Sequence, residues 1–139
     1  MKYARRQWSL ADNGLLRYQG LCRFDRAMQS LDATYNLLQD PLIELLWVHE
    51  AQKLLIYRRG PLVFAFNFHS TESYADLRIP VPDPTDYKLI LDSDSPDFEG
   101  FNRVAAGMKY IYEKQPWERR EQSIRMYLPN RTAQVLAPE

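Results

Sequence analysis

The apolar residues of this chain change period at Asp40-Pro41, and that change decides most of what the chain can fold into. Before it, Leu21, Phe24, Met28, Leu31 and Tyr35 step by three and four residues, the spacing of one helix face. Arg23, Asp25, Arg26, Gln29 and Asp32 fall largely on the other side. The spacing predicts helix from Leu15 to about Leu38. Asp12 or Asn13 can cap its start, because a short side-chain oxygen accepts the free amides of a first turn. Gly20 weakens a continuous helix and leaves two short ones open. Asp40-Pro41 stops it, since the residue before proline is pushed out of the helical region.

After Pro41 the period is two. Leu62, Phe64, Phe66 and Phe68 share one face of a strand, and Val63, Ala65, Asn67 and His69 share the other. The phenylalanine face is expected in the core of the fold. Leu54 to Arg58 precedes it, and Gly60-Pro61 reads as a hairpin turn. Further strands are expected at Tyr74 to Val81, Tyr87 to Leu91, Ile124 to Leu128 and Thr132 to Leu136, punctuated by Pro80, Pro82, Pro84 and Pro129-Asn130. Short strands at this spacing, with no helices between them, predict a mainly β fold: an antiparallel sandwich preceded by a short helical segment. The stretch from Ser93 to Gln122 carries little pattern, and at most one strand is expected there, near Met108 to Tyr112.

With 139 residues the chain is long enough for one domain with a real core. Its 18 basic residues balance 18 acidic ones, which argues against general nucleic-acid or anionic-membrane binding. No apolar run approaches a membrane span. Cys22 is the only cysteine, so an internal disulfide and a cysteine-based zinc site are excluded. A reducing compartment fits, with the cytoplasm as the default.

Several motifs invite chemistry and fall short of it. Asp92-Ser93-Asp94-Ser95-Pro96-Asp97 is acidic, but proline and aspartate stand where a calcium loop of the EF-hand type needs an oxygen ligand and glycine. A turn held by aspartate-to-backbone hydrogen bonds is expected instead. His49 and His69 are the only histidines and are too few for a zinc site without a well-placed carboxylate. No G-x-S-x-G and no glycine-rich phosphate loop is present. Asn130-Arg131-Thr132 matches a glycosylation sequon with no secretion signal to support it.

The surplus lies in the aromatics. Trp8, Trp47 and Trp117, with Tyr110 and Tyr112, exceed what a small core needs. Exposed rings stack on sugar faces, so a carbohydrate platform built from Trp117, Tyr110 and Tyr112 is one expectation; burial in the core is the other.

The same segments carry a resemblance. Lys2-Tyr3-Ala4-Arg5-Arg6-Gln7-Trp8-Ser9-Leu10, Leu15-Leu16-Arg17-Tyr18 and Phe24-Asp25-Arg26-Ala27-Met28 resemble the end of the catalytic region of 1,4-α-glucan branching enzymes, in the α-amylase superfamily, glycoside hydrolase family 13. His49-Glu50, Arg59-Gly60, Leu62 to His69, Ser73 to Arg78, Lys88 to Asp94, Gly100 to Arg103 and Tyr127 to Ala133 resemble that family's C-terminal domain, closer to its eukaryotic branch. Ser70 and Glu99 stand where the family often has proline and glycine. The Ala105 to Gln122 segment matches poorly, so no binding role for Tyr110, Tyr112 or Trp117 is inherited.

The resemblance implies a parent enzyme that cleaves an α-1,4 chain and transfers it to a 6-hydroxyl by retaining double displacement, using two carboxyl groups. Those groups belong to the loops of a (β/α)8 barrel. None of the aspartates or glutamates here matches them, so the resemblance supplies no catalytic residue, no metal and no cofactor. It divides the chain into residues 1–39, the last helical part of the barrel region, and residues 40–139, an α-amylase-type C-terminal all-β domain. Alone, the chain is expected to be inactive. Its expected partner is the missing catalytic barrel of the same polypeptide, with Leu15, Leu16 and Leu38 on the interface; the alternative role is binding α-glucan near the active site.

Overall fold

The structure, a computed structural model, describes residues 8–10, 12–16 and 18–139. The Lys2 to Gln7 part of the first motif, Arg17 and the side chain of Trp8 lie outside the described residues. Helix α1 spans Tyr18–Tyr35. It runs unbroken through Gly20, whose lack of a side chain serves contact rather than flexibility. A Cβ there would sit 2.8 Å from the Phe98 carbonyl oxygen, where α1 crosses the 3-10 turn Pro96–Phe98. Phe24 and Phe98 meet edge to face at 5.2 Å beside that crossing. Asn13 caps only a preceding turn, accepting the Leu15 amide at 3.0 Å. The helix ends at Asn36, which takes φ of 51°, a left-handed conformation that asparagine tolerates. The stop therefore comes four residues before Asp40.

Nine strands follow. They are β1 Ile43–His49, β2 Leu54–Arg59, β3 Leu62–Asn67, β4 Tyr74–Pro80, β5 Tyr87–Asp92, β6 Lys109–Tyr110, β7 Tyr112–Glu113, β8 Ser123–Leu128 and β9 Thr132–Pro138. A six-stranded sheet has the order β1-β2-β3-β9-β5-β6, a three-stranded sheet the order β4-β8-β7, and every pair is antiparallel. The sandwich expected from the period-two pattern is present. Strand β1 escaped that pattern because the register slips between Leu45 and Trp47, so consecutive Leu46 and Trp47 both point inward. The strand expected near Met108 to Tyr112 is split at Ile111, and its halves join different sheets.

The phenylalanine face of β3 does not lie between the sheets, contrary to the expectation from alternation. The inter-sheet core takes the other face, Val63 and Ala65, with Leu54, Ile56 and Trp47 of the large sheet against Leu77, Ile79, Ile124, Met126 and Leu128 of the small one. Leu62 and Phe64 lie on the outer face, under Phe24, Ala27, Met28, Leu31 and Tyr35 of α1. The fold thus has three layers: helix, large sheet, small sheet. Leu21, expected in the helix stripe, is 65% exposed. Phe66 is half-buried and Phe68 is 61% exposed, because α1 covers only part of this face.

The acidic run after β5 is a structural clasp. Asp94, buried, accepts the amides of Phe101 and Arg103 at 3.2 and 3.1 Å, and the Arg103 guanidinium at 2.8 and 3.1 Å. Arg103 continues to the Asn130 side chain at 2.7 Å, tying the loop to the β8–β9 turn. Burial works to raise the Asp94 carboxyl, but the Arg103 guanidinium and the two amides outweigh it and hold the group below its ordinary range. Among the described residues, no group of three or more histidines, cysteines or acidic residues is placed to hold a metal ion.

Candidate functional site

Two surfaces stand out. The first is the uncovered part of the outer face of the large sheet. Ile43, Leu45 and Val48 of edge strand β1 are exposed, at 59%, 61% and 57%. The register sets Val48 beside Leu55, and Leu55 beside Phe66, so one apolar row crosses β1, β2 and β3. Tyr57 stacks on Phe64 at 5.0 Å and on Phe66 at 5.8 Å; Phe66 in turn stacks on Phe68. The ladder begins beneath α1 and ends in solvent. At the start of α1 Tyr18 and Leu21 are exposed, as is Leu15 just before it, and Leu38 is 74% exposed just beyond the helix. Contiguous exposed apolar surface on this scale marks an interaction site.

The second surface is a cleft of about 690 Å³ at the open side of the sandwich, between β1 and β4. Trp47 and Trp117 meet there edge to face, with Tyr74, Gln52, Asp76 and Arg78 around them. Trp117 sits at the start of a tight hairpin. Its amide and carbonyl exchange hydrogen bonds with Arg120 at 3.0 and 3.1 Å, and Glu118 takes φ of 53° to close the turn. Arg120 is in turn ion-paired with Glu44 of β1, which draws the hairpin across the sandwich edge. Trp117 keeps 37% of its surface exposed, while Trp47 beneath it is buried. Two of the charges that line it are paired within the protein: buried Arg78 with Glu113 at 2.8 Å and with the Ser123 hydroxyl at 2.6 Å, and exposed Asp76 with Arg125.

The three aromatics expected to act together are not brought together. Tyr110 is buried, and its hydroxyl lies 3.1 Å from the Gln134 side-chain oxygen; burial pushes its ionisation up to about 12. It does not line the tryptophan cleft. Tyr112 is half-buried on β7 and does not line the tryptophan cleft. Only Trp117 of the three does. Its partners Trp47 and Tyr74 come from distant strands, and no local spacing announces them. The histidines hold turns. His49 Nδ1 accepts the Gln52 amide at 3.1 Å, and His69 Nδ1 accepts the amides of Thr71 and Glu72 at 3.2 and 2.8 Å.

Residues 47–139 match the family described as alpha amylase, C-terminal all-beta domain. The chain is 40% identical to the 1,4-alpha-glucan-branching enzyme of Saccharomyces cerevisiae over 136 residues, 98% of this chain and 19% of that protein. It is 42% identical to the enzyme of the same name from Eremothecium gossypii, over 98% of this chain and 20% of that protein. To 1,4-alpha-glucan-branching enzyme 2-2, chloroplastic/amyloplastic, of Arabidopsis thaliana it is 42% identical over 96% of this chain and 16% of that protein. The chain therefore spans about a fifth of the length of these relatives. Among the described residues no helix is long and apolar enough to cross a membrane.

Proposed function

We propose, from the premise that this chain belongs to the α-amylase C-terminal all-β domain family, that it is the supporting, non-catalytic domain of a 1,4-α-glucan-branching polypeptide. Its uncovered apolar face is the surface that docks on the rest of that polypeptide. One observation carries this: Ile43, Leu45, Val48 and Phe68 stay exposed on a sheet whose neighbouring area is sealed by α1. Left in water, such a row loses the stabilisation that burial of apolar area supplies, about 25 cal/mol per Å². The relatives are about five times longer than the matched region, which leaves room within their own chains for a covering partner.

Helix α1 fits a boundary near residue 39, with residues 40–139 as the domain. Its inner stripe packs on the sandwich, while Tyr18 and Leu21 of its first turn, with Leu15 just before it, are exposed, as expected of a wall shared with a catalytic barrel. Cleavage and transfer of the glucan belong to that barrel. A cytoplasmic setting is part of the proposal and rests on the lone cysteine, although the Arabidopsis relative is named chloroplastic/amyloplastic. A second role, holding α-glucan chains, is supported by the half-exposed ring of Trp117 beside Trp47.

The docking role is tested in a chimera in which this chain replaces the homologous region of the S. cerevisiae relative. Introducing Leu45→Asp with Val48→Asp is expected to lower the chimera's Tm by several degrees while leaving the isolated chain's melt nearly unchanged. Equal melting of the two chimeras contradicts it.

A further inference from the structure

We infer that the Trp47–Trp117 cleft is a binding site for a short run of α-1,4-linked glucose units, with the Trp117 ring as its platform; this rests on the reading of the parent polypeptide as one that acts on α-glucan. Three observations point to this ligand class.

The first is the balance of surfaces. A pyranose ring has apolar C–H faces and a rim of hydroxyls. The cleft matches both, with an indole face bordered by the Gln52 amide, the Asp76 carboxylate and the His49 imidazole. Its 690 Å³ lies within the roughly 300–1,000 Å³ typical of small-ligand sites.

The second is charge. Of the charges that line the cleft, Arg78 and Asp76 are paired within the protein, with Glu113 and Arg125, and Glu118 stands exposed on the rim. The β1 and β4 walls of the site therefore hold little spare charge for an anionic or cationic ligand. A neutral, polyhydroxylated one suits it.

The third is rigidity. Trp117 is fixed by the hairpin hydrogen bonds with Arg120, by the Arg120–Glu44 ion pair and by the edge of Trp47 at 6.2 Å. A ring already held in place gives up little freedom when a ligand stacks on it. The cleft also lies away from the proposed docking face. None of Ile43, Leu45, Val48, Leu55 and Phe68 lines it, because the slip between Leu45 and Trp47 turns Trp47 to the opposite side of the sheet.

The test is native affinity electrophoresis of the chain in gels with and without amylopectin, backed by titration calorimetry with maltoheptaose. The site predicts retardation that free maltoheptaose relieves. Trp117→Ala should weaken binding roughly tenfold or more, and Trp117→Tyr should restore part of it, with both variants melting like the parent chain. Unchanged mobility of the parent chain in amylopectin overturns the inference, as does a Trp117→Ala variant retarded as strongly as the parent. Equal retardation in dextran overturns the α-1,4 assignment. The docking face is left intact in all these variants, so failure here leaves the supporting role standing, and failure of docking leaves this binding measurable.

Discussion

Phe66 and Phe68 lie nearly parallel, with ring centroids 5.5 Å apart and 7° between their planes, at the open end of an aromatic ladder that starts under α1. Two residues of one strand face thus have different fates in this chain. Phe64, between α1 and the large sheet, is buried, and Phe68, beyond the reach of the helix, is not.

The ladder gives a graded stability series. Phe64→Ala should cost about 3–5 kcal/mol in a denaturant melt of the isolated chain, the range for emptying an aromatic core position. Phe68→Ala should cost less than about 1 kcal/mol, as surface changes do. Equal costs at the two positions would place the helix elsewhere on the sheet.

Gly20 decides between helix propensity and contact. Alanine is favoured over glycine in a helix by about 1 kcal/mol. Here the added Cβ meets the Phe98 carbonyl oxygen at 2.8 Å and must push α1 off the Pro96–Phe98 turn. Gly20→Ala is therefore expected to destabilise the chain by about 1 kcal/mol or more. A stabilised variant in a thermal melt would remove the contact from the account.

Asp94 links stability to acid. Its folded carboxyl is held below its unfolded value, chiefly by Arg103 against the opposing effect of burial. Its contribution is thus complete above about pH 4 and is lost as pH falls through the depressed folded value. Asp94→Asn should lower stability by about 2–3 kcal/mol at neutral pH, and the loss should shrink as the parent chain is acidified. A loss independent of pH would contradict the clasp.

Tyr87 and Tyr110 act at the opposite extreme. Burial pushes both phenols up to about 12, above the ordinary value of 10. Neutral in the fold, they favour it fully below pH 10 and progressively less as pH rises toward 12. A phenolate absorbance titration of the folded chain should show two late-ionising tyrosines; in Tyr110→Phe one of them should disappear.

Much of this was legible in residue order, and the rest was not for identifiable reasons. Alternation in Leu62 to His69 announces a strand with two unlike faces, yet it cannot say which face meets the second sheet and which meets a helix. That choice rests on Phe24, Met28 and Leu31 packing from outside. Strand β1 was hidden because a bulge erases period two at Leu46-Trp47. At the candidate site, Trp117 was visible as an unplaced aromatic. Its pairing with Trp47 was not, since it depends on a hairpin drawn over by Arg120 and Glu44. Tyr110 looked equivalent to Trp117 in sequence and differs only through β6 pairing into the core sheet.

The central claim, that the outer face of β1 to β3 is covered by the rest of a branching polypeptide, is tested most directly by chemical access. With Cys22 replaced by serine, Leu45→Cys places one thiol at the middle of the exposed row. The account predicts fast alkylation in the isolated chain and strong protection in the chimera with the S. cerevisiae relative. Equal alkylation rates in the two proteins would show the face open in both and contradict the docking role.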